Sequence, residues 1–159
     1  MFTIPHISSK FLGTKINQPL PVHLFLHLKR FTFNHDKNCK EKLYDYFEYY
    51  HEVDMGRYMT EESGACLYRL GGVIVHEGSI DNGHFYSIIR DRQSSASGEE
   101  NYWCEVDDDW VGRFDMENLL DDTFGYQEDS DASDQDDDMD EEHLDSIPCA
   151  YILVYDRVI

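Results

Sequence analysis

Basic residues are scarce in this sequence: 13 Lys and Arg face 33 Asp and Glu over 159 residues, a formal charge of −20. A partner built of phosphate, whether nucleic acid or an anionic membrane, needs a basic footprint that this balance withholds, so both are excluded and a basic protein surface is the better counterpart. Cysteine is scarce too. Cys39, Cys66, Cys104 and Cys149 stand singly with no C-x-x-C pair, which sets up neither a zinc ribbon nor a disulfide framework and predicts a reducing compartment. No run of about 18 apolar residues is present to span a bilayer, and MFTIPHISSK at the start has neither the basic nor the apolar stretch of a secretory signal. The expected location is cytoplasmic, nuclear or both.

What is present is aromatic and apolar: 41% of residues are hydrophobic and 14% are Phe, Trp or Tyr, enough to build a core in a chain about one domain long. The charge is concentrated. The segment 128–145, EDSDASDQDDDMDEEHLD, carries eleven acids and no Lys or Arg, so it supplies −11 of the −20. It has too little apolar surface to offset the entropy of ordering and is expected to be a disordered insert between folded elements. Ser130 and Ser133 lie among its carboxylates, as acidophilic kinases prefer. Residues 1–19 are weakly patterned, leaving 20–159 as the structured unit.

Within that unit the signals are strand signals. From Val22 to Phe33, VHLFLHLKRFTF, apolar residues alternate, with Val22, Leu24, Leu26 and Leu28 on one face. On such a strand His23 and His27 are separated by about 13 Å, too far to share a metal. LYRLGGVIVH (67–76) and HFYSIIR (84–90), joined by EGSIDNG, predict an antiparallel hairpin. YWCEV (102–106) is a further strand, DDDW a turn, and Trp110 to Phe114 an extension. Asp115 caps a short helix expected to close near Gly125. AYILVYDRV (150–158) is almost continuously apolar, as expected of a central strand buried on both faces. Five or six strands with hairpin connections and few short helices make an α+β, mostly antiparallel architecture whose sheet has too few helices to cover it.

Two features carry chemistry. Asn82-Gly83-His84 stands at a turn, where Asn and Gly readily take positive φ and so fix the histidine. Asp107, Asp108 and Asp109 end the YWCEV strand, and a neighbouring strand can bring one carboxylate onto the imidazole, two thirds of a nucleophilic triad. The residues alone leave open that this is a structural histidine beside a solvated acidic turn.

LPVHLFLHLKRF (20–31), YRLGGVIVHEGSIDNGHFYSIIR (68–90), YWCEVDDDWV (102–111) and AYILVYDR (150–157), with EVDMGRY (52–58), together resemble the C-terminal half of a ubiquitin-specific protease domain, a papain-like cysteine protease fold of which this would be the palm half. The resemblance implies hydrolysis of the bond after the terminal Gly of ubiquitin through a thioester. It makes His84 the general base, Asp107 the carboxylate that orients it, and Asp108 a helper. It places Gly83, Phe85, Tyr86, Arg30, Phe31 and Lys42 along the bound ubiquitin tail, and makes ubiquitin or ubiquitinated proteins the partner, with no metal or other cofactor. Departures are Asn82 for the usual Gly, Phe85 for Tyr, Glu77 for Ser, and Gly71 for a β-branched residue. The family's motif of Gly, Asn, Thr, Cys and Tyr, which opens a helix and supplies the nucleophile, is absent, as is the zinc-binding fingers region. None of the four cysteines opens a helix beside an oxyanion donor. The expectation is a chain that supplies base and orienting acid but not the thiol, inactive alone and completed by a cysteine-bearing half. A non-catalytic ubiquitin-binding scaffold and an incomplete, association-prone product remain as alternatives.

Overall fold

The computed structural model describes residues 16, 19–60, 64–91, 102–119, 123–126 and 144–158. Nine strands are formed: β1 (His23–His27), β2 (Phe31–Asn34), β3 (Cys39–Lys42), β4 (Glu52–Asp54), β5 (Leu67–Gly78), β6 (Gly83–Arg90), β7 (Trp103–Asp107), β8 (Trp110–Phe114) and β9 (Cys149–Arg157). Seven form one antiparallel sheet in the order β1-β9-β5-β6-β7-β8, with β4 pairing the first residues of β5; β2 and β3 form a separate hairpin. The named helices among the described residues are single 3-10 turns at Met55–Tyr58 and Met116–Asn118.

The β5–β6 hairpin forms as the alternation predicts, running in register from Gly72 opposite Ile89 to Gly78 opposite Gly83. Gly71 falls at a register shift between β5 and β9. The glycine that looks like a weak point in a strand therefore marks a bulge, where an extra residue bends the strand and needs no side chain to pack.

The core lies on one face of this sheet. Leu70, Val73 and Val75 of β5, Ile88 of β6, and Leu153 and Tyr155 of β9 are fully buried there. Leu24, Leu26 and Leu28 pack against them as the alternation predicts. Tyr49, Met55, Leu119 and Phe124, from the segments outside the sheet, complete this cluster. Each fully buried large side chain contributes about 1.5–3 kcal/mol of transfer free energy. The opposite face is apolar but only half covered: Phe25 and Val111 are each 65% exposed and Ile89 43%.

Three expectations are corrected. The strand read across Val22 to Phe33 is two strands in different sheets. At Leu28–Arg30 the chain turns away, with Leu28 N–H donating to Tyr151 O at 2.9 Å and Arg30 N–H to Leu28 O at 2.8 Å. The buried Arg30 guanidinium holds the turn by donating to the carbonyls of Ala150 (3.3 Å), Leu43 (3.4 Å) and Asp45 (2.5 Å). β9 is central as expected, yet only one of its faces is fully buried. The short helix after Asp115 begins as the 3-10 turn Met116–Asn118; the cap is real, since the Asp115 carboxylate accepts from Glu117 N–H at 3.0 Å. Of the acidic insert at 128–145, only Leu144 and Asp145 are among the described residues, and Ser130 and Ser133 lie outside them.

Candidate active site

His84 is the second residue of β6 and Asp107 the last of β7, the strand beside it. Strand pairing brings them together although 23 positions separate them: His84 Nε2 and Asp107 Oδ1 share a short hydrogen bond. Asp107 is followed by a two-residue turn that pairs it with Trp110, and Asp108 takes φ +47°, a left-handed conformation that Asp tolerates better than most residues. The nitrogen and oxygen donors of His84, Asp107 and Asp108 all lie within 4.8 Å of one another. A cation could use the same donor types, but the His84–Asp107 hydrogen bond already commits the imidazole Nε2 to its carboxylate, the arrangement of an acid–base pair. The pair is open to solvent, with 47% of the His84 side chain and 38% of Asp107 exposed.

This environment raises the proton affinity of His84. The hydrogen bond to Asp107 is the largest cause, desolvation opposes it, and the charges of Asp107, Asp108 and Glu77 add to it. With Nε2 occupied by the carboxylate, Nδ1 is the nitrogen left to exchange a proton with a reacting group.

Beside the pair lies an aromatic cluster that the sequence does not announce. His76 of β5, buried, meets Phe85 at 4.6 Å and Phe31 at 5.3 Å between ring centroids, and Tyr151 of β9 meets Phe85 at 5.3 Å and Phe31 at 5.5 Å. Burial and the nearby Lys42 lower the proton affinity of His76. This cluster explains Gly83. Neither Asn82 nor Gly83 takes positive φ; the positive φ at this turn is at Gly78, +91°. A Cβ on Gly83 would instead run into His76 Nε2 and come within 2.7 Å of Cε1 and 2.8 Å of Ser79 O. Glycine is required at this point by close approach, not by backbone conformation as the turn reading supposes.

The remaining residues assigned to the ubiquitin tail divide. Gly83, Phe85 and Phe31 gather around His76, on the face of β6 opposite to His84. Tyr86 stands opposite the buried Val75 and packs against the core, on the other face of β6 from Phe85, so the two cannot line one wall. Arg30 and Lys42 are buried; Arg30 Nε and Nη1 donate to main-chain carbonyls while its buried Nη2 has no hydrogen-bond partner, and Lys42 Nζ donates to Gly78 O at 2.8 Å and His76 O at 3.4 Å. Desolvation lowers the proton affinity of both. Lys42 fastens the end of β3 to the end of β5, and Arg30 ties the segment before β2 to β9 and to the segment after β3.

Cys66 and Cys149 are buried and free, and burial raises the pKa of both Cys149 and Cys104, the opposite of what a nucleophile needs.

The sequence pattern of a family described as ubiquitin carboxyl-terminal hydrolase matches residues 14–155. Among curated relatives, ubiquitin carboxyl-terminal hydrolase 9X of Mus musculus is 34% identical over 115 residues, covering 56% of this chain and 4% of that protein. Ubiquitin carboxyl-terminal hydrolase 15 of Schizosaccharomyces pombe is 34% identical over 113 residues, covering 69% of this chain and 10% of that protein. The chain thus spans a small part of the relatives it matches. In fold it is similar to a chain of the SAGA Ubp8/Sgf11/Sus1/Sgf73 DUB module bound to ubiquitin aldehyde, with a TM-score of 0.61 at 21% identity, covering 88% of this chain and 25% of that one.

Proposed function

The chain belongs to the ubiquitin carboxyl-terminal hydrolase family, and from that premise we propose that it is the base-bearing part of a cysteine-type deubiquitinase, with His84 as general base and Asp107 as the group that orients it. The observation that carries the reading is the His84 Nε2–Asp107 hydrogen bond, which engages one ring nitrogen and leaves Nδ1 for a proton exchange. A cysteine thiol presented to Nδ1 gives up its proton to it, and the thiolate attacks the carbonyl carbon of ubiquitin's last glycine. The C–N bond breaks as the imidazolium returns the proton to the departing amine, leaving a thioester. His84 then takes a proton from water, the hydroxide attacks the thioester carbonyl, and the C–S bond breaks with the proton going back to sulfur. Asp107 fixes the tautomer throughout and stabilises the imidazolium. Asp108 adds negative charge beside the pair.

Gly83, Phe31, Phe85 and the buried His76 suit a narrow channel wall for a tail ending in two glycines. Arg30 and Lys42 serve it indirectly, by holding the β2–β3 hairpin and its flanks against β9 and β5. The thiol is supplied from outside the four cysteines of this sequence, because those whose environment perturbs them are made less acidic.

The test is release of a fluorophore from a ubiquitin C-terminal amide. The 159-residue chain alone should give no turnover above buffer, and addition of a polypeptide carrying the family's cysteine motif should give turnover that His84→Ala abolishes. Turnover by the chain alone that depends on one of its own cysteines would contradict the assignment. The acidic balance of the chain, −20, also favours a second reading, ubiquitin binding without hydrolysis. A titration with ubiquitin decides it: binding that weakens steeply with salt, without complementation by the cysteine-bearing polypeptide, supports binding alone, and absence of binding at millimolar concentration removes it.

A further inference from the structure

Directly opposed residues in an antiparallel pair place their Cβ atoms about 4.5–5.5 Å apart on the same face. In the β5–β6 hairpin the residue opposed to His84 is Glu77. Its backbone is held on both sides. Lys42 Nζ donates to the carbonyls of His76 and Gly78, the neighbours of Glu77. Gly78 takes φ +91°, and a Cβ there would come within 2.8 Å of Asn82 O. Ser79 Oγ accepts from Asn82 N–H at 3.1 Å, closing the turn that leads back to His84.

Negative charge therefore acts on the imidazole from three elements: Asp107 at the end of β7, Asp108 in the turn after it, and, opposite His84 in the hairpin register, Glu77 on β5. On the other side of Glu77 the charged group is the ammonium of Lys42 on β3. One carboxylate in contact is enough to orient a base, and Asp107 is that one. A charge on the opposite strand acts differently. It does not touch the hydrogen-bonded Nε2, and it opposes loss of the ring's proton whatever the ring is doing.

We propose that Glu77 is a positioning residue for His84, a carboxylate across the hairpin that keeps the imidazolium in place between taking a proton from the thiol and giving it to the departing amine. The proposal rests on the reading of His84 as general base. It is specific to this chain in that the resembled family commonly has an uncharged Ser at this position.

The experiment is an NMR titration of the His84 ring in the 159-residue chain, which needs no turnover. Glu77→Gln keeps size and polarity and removes the charge; it should lower the proton affinity of His84 about two- to threefold, the order expected of exposed charge pairs. Glu77→Asp should restore most of it. The difference should shrink in about 1 M salt, where the screening length is about 3 Å. Asp107→Asn should lower the affinity further, by removing the contact partner. Should Glu77→Gln lose the native spectrum, Glu77→Ser replaces it as the uncharged variant. An unchanged midpoint in the uncharged variant, or a decrease that high salt leaves intact, overturns the proposal. Failure of the deubiquitinase reading would show in the turnover assay and would leave this titration unaffected, so the two can fail separately.

Discussion

Substituting Gly83 by Ala tests the packing at the start of β6, beside the turn that leads into His84. The added Cβ would meet His76 Nε2, with Cε1 at 2.7 Å and Ser79 O at 2.8 Å. His76 has little room to retreat: Phe31, Phe85 and Tyr151 pack around its ring, and Lys42 holds its carbonyl. Overpacking of this kind costs about 1–3 kcal/mol, and the upper part of that range is expected because backbone limits the methyl on one side and a caged ring on the other. For a chain of this size each kcal/mol lowers Tm by roughly 2–4 °C. His76→Ala alone opens a cavity, yet also removes the buried Nδ1, which has no hydrogen-bond partner. The double variant seats the methyl of residue 83 in the space left by the ring. Urea denaturation of the wild type, both single variants and the double variant should therefore give a coupling of about 1–2 kcal/mol in favour of the double variant. Losses that add to within about 0.5 kcal/mol would refute contact between residues 76 and 83 as the reason for the glycine.

The two histidines should have opposite pH signatures. His84 is raised when folded, so its pairing with Asp107 stabilises fully below the ordinary histidine value and is lost as pH rises through the folded value; the stability gap between wild type and His84→Gln should narrow from pH 5.5 to pH 9, with 6.5 as the unfolded reference. His76 is lowered, so its contribution is present above the unfolded value of 6.5 and lost as pH falls; His76→Gln should soften acid unfolding followed by circular dichroism. Lys42→Met should cost about 1–3 kcal/mol in urea, because it strips the carbonyls of His76 and Gly78 of a donor. Amide exchange should then accelerate first at the β5–β6 turn. Leu153→Ala, in the middle of β9 and 1% exposed, should cost about 2–5 kcal/mol and broaden the whole spectrum.

Where a structural choice depended on local alternation and turn residues, it was readable in the chain. The β5–β6 hairpin and the 7- and 8-strand turn follow from strand period and from Asn, Gly and Asp at the reversals, and the pairing of His84 with Asp107 follows from adjacency of those strands. The break at Leu28–Arg30 was not readable, because alternation passes through it unbroken. What turns the chain there is a set of carbonyls 13, 15 and 120 positions from Arg30, a tertiary cause with no local trace. For Gly83, conformational freedom and close approach look alike in sequence, and only the position of His76 separates them. His76 itself reads as one polar residue closing an apolar run. Its importance comes from Phe31, Phe85 and Tyr151, which converge from three different strands.

The central claim is that His84 is a base whose Nε2 is held by Asp107 and whose Nδ1 is free to take a proton. Long-range 1H–15N correlation spectra of the histidine rings, recorded above and below the His84 midpoint, test it most directly. The account predicts that neutral His84 is protonated at Nε2, with Nδ1 showing the shift of an unprotonated acceptor, and that Asp107→Asn disturbs this pattern. A neutral ring protonated at Nδ1, or one that exchanges freely between tautomers in the unmodified chain, would contradict it.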